Sequence, residues 1–493
     1  MDKTIQAYYT NSKVITNYMV QKLDLSKTDN VLEPSVGEGV FIEEILKKSP
    51  EVQIVTYDID DYSYKVMKSR FSDANVEIIQ SDTLLDIDLD LRASTNTGFS
   101  KIIGNPPYGA SYSNEYRKIL SQKYGAIYTK DSYVLFFMRC LSLLEENGKL
   151  VFIIPDTFLF LNMHKKFREI LFKNFVVEEI TIFPSKWFPG ISFAYSNLSI
   201  ITVKKDKKKV LKNIIKVYDS LASDSDFIKL AEGKSLNPKL IQQRTIVERP
   251  DYNLYLNQKV ERIMSNAKLT LGDIADCVTG IYTGDNKRYL RVKNHNVRNS
   301  KGYALVANEN IYNEIPALEG VDSKDIYIPL IKGSLKQSFI KPETEWFIRW
   351  DKEAVNDYHT SKKARFQNSK YYFNNGIAIP MLKSKKVRAC LIDNVVFDQS
   401  IVGVFPKNSS DTLFILALLN SDIVNDIIQT INPTVNNSAN YLKRIPIPYA
   451  SKNIRQKIDG LVRGIISNSE DNQQELEKII IDLYTDSSVP NII

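Results

Sequence analysis

The sequence predicts an α/β fold: a Rossmann-like domain built on a mixed, mostly parallel sheet, then a β-rich α+β domain, then C-terminal helices. Three observations predict it. Apolar runs of strand length alternate with helical stretches up to Val203, the pattern of strands covered on both faces. A glycine turn joins the first apolar run to a helix. From Leu269 onward the texture changes to short strand-like runs separated by turns rich in Gly, Asn and Lys. A chain of 493 residues, 43% hydrophobic and 25% charged, has the composition of a globular protein with at least two cores. The boundaries expected are 1–245, a helical linker over 246–268, a domain over 269–450 and a helical end over 451–493.

Asn11 to Leu25 carries Val14, Ile15, Tyr18, Met19 and Leu23 at helical spacing. Val31-Leu32-Glu33 reads as a short buried strand, and Val40 to Leu46 as a helix. Between them lies Pro34-Ser35-Val36-Gly37-Glu38-Gly39, whose glycines let the backbone turn tightly and approach a ligand. Gly-x-Gly alone is a weak signal, and this turn offers no Lys for phosphates. Gln53 to Tyr57 reads as a second strand with Asp58 at its end, about 20 residues past the glycines, where an acid takes ribose hydroxyls. Val76 to Ile79 is a third strand and ends near Asp82. Acids at successive strand ends, with no phosphate-binding Lys, suit an adenosine ligand without a polyphosphate, such as S-adenosylmethionine. A solvated loop carboxylate is the alternative for each acid taken singly.

The fourth strand ends in Gly104-Asn105-Pro106-Pro107-Tyr108-Gly109. Two prolines lack N–H groups and cannot continue a strand, so the chain leaves the sheet stiffly at a carboxyl end, where ligands of open sheets bind. An exocyclic amine on a nucleobase is a poor nucleophile because its lone pair is delocalised into the ring. The Asn105 side-chain oxygen and the Pro106 carbonyl are two acceptors that would favour its reactive, pyramidal form. Tyr108 would stack on the base, worth roughly 1–3 kcal/mol, a contact that needs the ring rather than the hydroxyl. A plain turn with an exposed Tyr is the alternative for this stretch.

Ser132 to Glu145 reads as an apolar helix stopped by Asn147-Gly148, and Lys149 to Ile154 as a buried strand broken by Pro155-Asp156. Lys165 to Phe172 is helical, Val176 to Phe183 a strand, and Leu198 to Val203 a last strand. The aromatic loop Lys186-Trp187-Phe188-Pro189-Gly190 either walls a base pocket or covers the sheet end.

These residues resemble the TaqI-type, gamma-class DNA adenine-N6 methyltransferases in the order, spacing and type of their motifs, from about Tyr8 to Val203. The resemblance implies S-adenosyl-L-methionine as cofactor. Thr10 falls in the N-terminal cofactor motif, and Glu33, Ser35 and Gly37 in the methionine-binding turn. Asp58 matches the ribose acid, Asp82 the residue on the cofactor's adenine, and Phe136 an aromatic against that adenine. Asn105, Pro106 and Tyr108 match the catalytic motif, with Asn105 and Pro107 also facing the cofactor. Phe188 matches a second stacking aromatic. The family usually carries Glu where Asp58 stands, and an Ala-containing form of the turn.

Lys204 to Lys216, with seven lysines, reads as a solvated hairpin or loop or a phosphate contact, and Pro238 to Pro250 as a polar connection. Asn253 to Ser265 is a short amphipathic helix. Strand-like runs follow at Asp325 to Ile331, Trp346 to Trp350, Val387 to Phe397 and Ile401 to Phe405, and helices at Asn453 to Ser467 and Gln473 to Tyr484. Leu271-Gly272-Asp273-Ile274 with Thr279 to Asn286, and Asn437 to Pro448, resemble the opening and closing of a TaqI-like target recognition domain. That resemblance implies double-stranded DNA as partner, bound by a monomer, with room for a separate cognate restriction endonuclease acting at the same site.

The net charge of +7 is compatible with a polyanion without requiring one. Cys140, Cys277 and Cys390 show no disulfide or zinc spacing, the three histidines are isolated, and no metal site is expected. With no apolar signal core and no membrane-length run, a cytoplasmic protein without membrane contact is expected. Cytosine-C5 methylation is disfavoured because it needs a Cys nucleophile and no Pro-Cys pair is present. Cytosine-N4 methylation uses a related motif that more often begins with Ser or Asp. A protein glutamine methyltransferase is disfavoured by the long C-terminal half. A fused nuclease is disfavoured because the cofactor motif begins near Thr10 and no nuclease motif follows. A DNA-binding module with a dead cofactor site would have lost Asn105 or Gly37.

Overall fold

A computed structural model describes residues 12–72, 75–108, 112–125, 127–187, 197–219, 221–234, 236–432, 436–467 and 471–485. The chain divides into two compact units, Met1–Leu256 and Asn257–Ile493.

The first unit is one nine-stranded sheet with helices. Its elements are α1 (Lys13–Leu23), β1 (Asn30–Glu33), α2 (Val40–Lys48), β2 (Gln53–Asp58), α3 (Asp61–Arg70), β3 (Val76–Gln80), α4 (Ile87–Thr95), β4 (Phe99–Gly104), α5 (Asn114–Tyr124), α6 (Ser132–Leu143), β5 (Leu144–Pro155), α7 (Lys165–Asn174), β6 (Val176–Pro184), β7 (Asn197–Lys204), β8 (Ile214–Tyr218), α8 (Asp224–Ala231), β9 (Lys239–Gln242) and α9 (Gln243–Val247). The strand order is β3-β2-β1-β4-β5-β7-β6-β8-β9. β3, β2, β1, β4 and β5 are parallel, and β7 runs antiparallel between β5 and β6. The sheet is therefore mixed and the fold α/β. Side-chain caps start several helices, with Ser12 accepting from Ile15 N, Asp60 from Ser63 N and Asp86 from Leu89 N. The core runs through Leu32, Ile102, Phe137, Phe152, Ile180 and Ile201.

Several expectations are corrected. α6 ends at Leu143 and β5 begins at Leu144, so Asn147-Gly148 lies inside the strand rather than before it. Asn147 takes φ 64° there and its N–H bonds to Lys205 O at 2.8 Å, while Lys205 N–H returns to Gly148 O at 3.0 Å. Helices α3, α4 and α5 were not anticipated. β7 is not the last strand, because β8 pairs parallel with β6 and β9 antiparallel with β8. The lysine-rich stretch accordingly holds a 3-10 turn, Lys207–Lys212, and β8, with Ile215 and Val217 facing inward. The polar stretch 238–250 holds β9 and α9 instead of a free connection. Its Gln243 is buried, accepting from Val177 N–H and donating to the Phe172 and Phe175 carbonyls.

The second unit holds two four-stranded sheets. With β10 (Ala275–Thr279), β11 (Leu290–Val292), β12 (Tyr327–Ile331), β13 (Trp346–Arg349), β14 (Gly376–Pro380), β15 (Cys390–Ile392), β16 (Val396–Phe397) and β17 (Ile401–Pro406), the orders are β10-β17-β14-β15 and β11-β13-β12-β16. The run 387–397 is two strands in different sheets, parted at Asn394 with φ 51°. The helix expected from Asn253 begins at Gln258, capped by Asn257. An unanticipated buried helical pair spans Thr412–Asn420 and Asp422–Ile431, and Lys452–Ile466 and Asp471–Thr485 are the closing helices. Among the described residues no single helix is long and apolar enough to cross a membrane.

Candidate active site

The carboxyl ends of β1, β2, β3 and β4 converge. The turn after β1 is built by its glycines: Gly37 sits at φ 52° and Gly39 at φ 73°, where a Cβ on Gly39 would meet Met67 Sδ at 2.6 Å. Val36 N–H bonds to Tyr57 O at 3.0 Å, and Gly37 N–H donates to Asp58 Oδ2 at 2.9 Å, so the turn is fastened to the end of β2. Asp58 Oδ1 also accepts from Asp60 N–H at 2.9 Å. The Thr83 hydroxyl donates to Pro34 O at 2.6 Å, which brings the loop after β3 to the same turn.

Glu33 is 2% exposed, and among the described residues its Oε2 and the buried Ser35 Oγ have no hydrogen-bond partner. Burial first, then the nearby Asp58, pushes the Glu33 carboxyl well above its ordinary range. Burial also raises Asp58, against the backbone N–H bonds that lower it. A buried acid with an oxygen lacking a partner, Glu33, and a half-buried one, Asp58, beside a turn whose backbone is open to close approach, fit a ligand carrying positive charge and hydroxyls.

Asp82 accepts from Leu84 N–H at 3.0 Å and from the Tyr116 hydroxyl at 2.5 Å. Tyr116 comes from α5 and packs on Tyr112, ring centroids 4.8 Å apart; Tyr124 adds a bond to Leu84 O at 2.9 Å. On α6, Ser132, Phe136 and Arg139 recur at i, i+4 and i+7, one face of the helix. Ser132 Oγ donates to Pro107 O at 2.6 Å, and Arg139 Nε donates to Thr83 O at 3.1 Å. Phe136 lies between these two anchors, on the face that links the Asn-Pro-Pro-Tyr loop to the Asp82 loop.

Asn105 follows β4 directly, half-buried, with Pro106 buried behind it. The Tyr108 ring is only 3% exposed, which disfavours the alternative of a plain turn with an exposed Tyr. Its hydroxyl donates to Asn105 Oδ1 at 2.5 Å and lies 3.0 Å from Ile153 O. Tyr133 packs edge-on against it, centroids 6.2 Å apart. Thr10 and Phe188 lie outside the described residues. Of the aromatic loop, Trp187 stacks on Phe183 at 6.0 Å and meets Phe227 edge-on, so this ring packs against the unit itself. The three cysteines are buried, and burial pushes their thiols up. Among the described residues no group of three or more His, Cys, Asp and Glu could hold a metal.

Sequence reasoning missed Tyr116, Ser132 and Arg139, which carry no motif of their own. It also passed over Asp156, the acid at the end of β5, although the strand-end rule that singled out Asp58 and Asp82 applies to it equally.

Residues 21–188 match the family described as Eco57I restriction-modification methylase. The chain is 26% identical over 274 residues to the Type II methyltransferase M.AccI of Acinetobacter calcoaceticus, covering 52% of this chain and 48% of that protein. It is 30% identical over 132 residues to the modification methylase CviBIII of Paramecium bursaria Chlorella virus NC1A, covering 26% and 31%. The chain thus spans less than half the length of these relatives. In fold it is similar to a nuclease-deletion mutant of the Type ISP restriction-modification enzyme LlaGI in complex with a DNA substrate mimic, with a TM-score of 0.57 at 14% identity, over 94% of this chain and 55% of that one. Over residues 21–188 the chain is therefore similar in sequence to restriction-modification methylases.

Proposed function

We propose that this chain is a site-specific DNA methyltransferase that acts on the N6 amine of an adenine flipped out of duplex DNA. The strand order, with one antiparallel strand inserted beside the end of a parallel run, supports a Rossmann-like methyltransferase domain, and the order of the motifs, cofactor turn before Asn-Pro-Pro-Tyr, supports the TaqI-type, gamma class. S-adenosyl-L-methionine is the cofactor, and it supplies an activated methyl group on sulfur. Glu33, Ser35 and Gly37 would hold its methionine part, Asp58 its ribose, and Asp82 and Phe136 its adenine.

The observation that carries the reading is Asn105 at the carboxyl end of β4, beside that turn. Its side-chain oxygen and the Pro106 carbonyl hold the two hydrogens of the target amine and favour the pyramidal nitrogen. The loop's two prolines offer no competing backbone N–H, and the Tyr108 hydroxyl now donating to Asn105 Oδ1 is a donor the amine would displace. Tyr108 and Phe188 provide the walls on which the flipped base stacks, offsetting a flipping cost of a few kcal/mol. We assign reading of the DNA sequence to residues 269–450, whose polar and basic loops suit groove contacts. A single copy acts on DNA in the cytoplasm, as the modification component of a restriction-modification system.

Cytosine-N4 methylation is the second reading, since Asn-Pro-Pro-Tyr differs from its usual motif only in the leading residue. Mass spectrometry of nucleosides from DNA treated with the protein and cofactor separates the two. N6-methyladenine is expected, and N4-methylcytosine alone would transfer the mechanism to the other base.

A further inference from the structure

We propose that residues 286–308 of the second unit grip the phosphate backbone of duplex DNA through Lys287, Lys293, Arg298 and Lys301. This rests on the DNA-modifying reading above. The stretch holds six Lys and Arg, together with His295, and no Asp or Glu. Acids make up 58 of the chain's 493 residues, so their absence over this length sets the stretch apart.

The fold gathers these cations and fixes the loop that carries them. Val292, at the end of β11, closes the loop: its N–H donates to Ala304 O and its carbonyl accepts from Val306 N–H, both at 3.1 Å. Within the loop the chain makes successive turns, Val297 N–H to Asn294 O at 3.5 Å, Ser300 N–H to Val297 O at 3.2 Å and Tyr303 N–H to Ser300 O at 3.0 Å. Val297 and Ser300 are buried, and Tyr303 packs edge-on against Trp346, centroids 4.9 Å apart. Left outside are Lys293, Arg298 and Lys301, with the exposed Asn294, Asn296 and Asn299 between them. Gly302 turns at φ 84°, and a Cβ there would stand 3.5 Å from Lys287 Nζ, so Lys287 comes in beside Lys301. A loop pinned in this way has little conformational freedom left to lose on binding.

Elsewhere on this unit exposed lysines meet acids, Lys341 with Asp393, Lys352 with Asp322 and Lys457 with Glu475. Among the described residues Lys287, Lys293, Arg298 and Lys301 are exposed and have no acidic partner. Of the other two cations, Arg288 is held by Asp357, and Arg291 turns back onto the Leu290 carbonyl and the Tyr327 ring. Like charges without counter-charges repel, so folding gains nothing from bringing them together. Binding to a polyanion does gain, because each Lys or Arg that meets a phosphate releases a counterion. The exposed Asn side chains can add hydrogen bonds to phosphate oxygens. Contacts of this kind fix position on the duplex without reading sequence, and leave base readout to other loops of residues 269–450.

The test is fluorescence anisotropy of a labelled duplex of mixed sequence, titrated with the full chain at salt concentrations between about 50 and 200 mM. One variant combines Lys287→Gln, Lys293→Gln, Arg298→Gln and Lys301→Gln. A control combines Lys27→Gln, Lys47→Gln, Lys173→Gln and Lys457→Gln, which removes the same charge from lysines paired with acids. The slope of log affinity against log salt should be flatter in the first variant by up to about 3.6, at about 0.9 per lost phosphate contact. The control should keep the wild-type slope. The thermal midpoint of the first variant should match or exceed that of wild type, because repulsion is relieved. The four single variants, each expected to flatten the slope by about 0.9, decide the matter if the combined variant folds poorly. A wild-type slope in the loop variants, or an equal flattening in the control, overturns the proposal. Wild-type protein that binds no duplex even at the lowest salt overturns the DNA-modifying reading itself.

Discussion

The Tyr108 hydroxyl donates to Asn105 Oδ1 at 2.5 Å, the same oxygen that would accept a hydrogen from the target amine. Base entry therefore exchanges one donor for another on a single acceptor. Tyr108→Phe removes the competing donor and the tie to Ile153 O. The ring survives, so base capture should change by no more than about 1 kcal/mol, the net value of a typical hydrogen bond. Tyr108→Ala should weaken capture by roughly 1–3 kcal/mol. Fluorescence of a base analogue at the target position reads both; equal losses in the two variants would mean that the hydroxyl, not the ring, holds the base.

Glu33 gives cofactor binding a pH dependence. Its carboxyl is held above its ordinary range by burial and then by Asp58, so its ionised form is lost at a higher pH than that of an exposed Glu. A cationic ligand favours the ionised form, so binding should release protons and weaken as pH falls through that raised value. Calorimetry in buffers of different ionisation enthalpy measures the release. Glu33→Gln should abolish it and lower affinity; undiminished release would place the proton elsewhere.

Asp58 fastens the glycine turn through Gly37 N–H and Asp60 N–H. Asp58→Ala strands both donors, each worth about 1–3 kcal/mol if left without an acceptor. The variant should lose stability in urea as well as cofactor affinity. Wild-type affinity would remove Asp58 from the cofactor's surroundings.

Asp156 makes a separate prediction about stability. Its folded pKa of about 6 stands above the unfolded value of about 3.9, so the fold prefers the protonated form. That contribution is fully present below about pH 4 and is lost as pH rises through about 6. Asp156→Asn does not titrate, so the denaturation midpoint of the variant should gain on wild type between pH 4 and 8. Midpoints that move in parallel would show that burial does not raise this carboxyl.

The strands from β1 to β7 were legible because each contains a short apolar run bounded by turn or polar residues. Glu33, Asp58 and Asn105 were legible for a related reason: each ends such a run, and parallel strands bring their ends together. The missed features lack that signal. β8 alternates Ile215 and Val217 with outward residues among lysines, and β9 is a four-residue edge strand. Asn147-Gly148 has the chemistry of a helix stop, yet Lys205, more than fifty residues away in sequence, makes it part of a strand. Tyr116 reaches Asp82 from a helix whose own apolar pattern is weak, with Leu120 its only buried residue. The Tyr108 hydroxyl bond was invisible because it depends on which way the ring turns after two prolines.

The central claim is that the acceptor oxygen of Asn105 activates an adenine amine. The measurement that tests it most directly is single-turnover transfer of labelled methyl groups to DNA by wild type and Asn105→Ala, with nucleoside mass spectrometry of the product and saturating cofactor and DNA. Wild type should yield N6-methyladenine, and Asn105→Ala should bind cofactor and DNA yet lose most of the transfer. Near-wild-type transfer by Asn105→Ala would contradict the account.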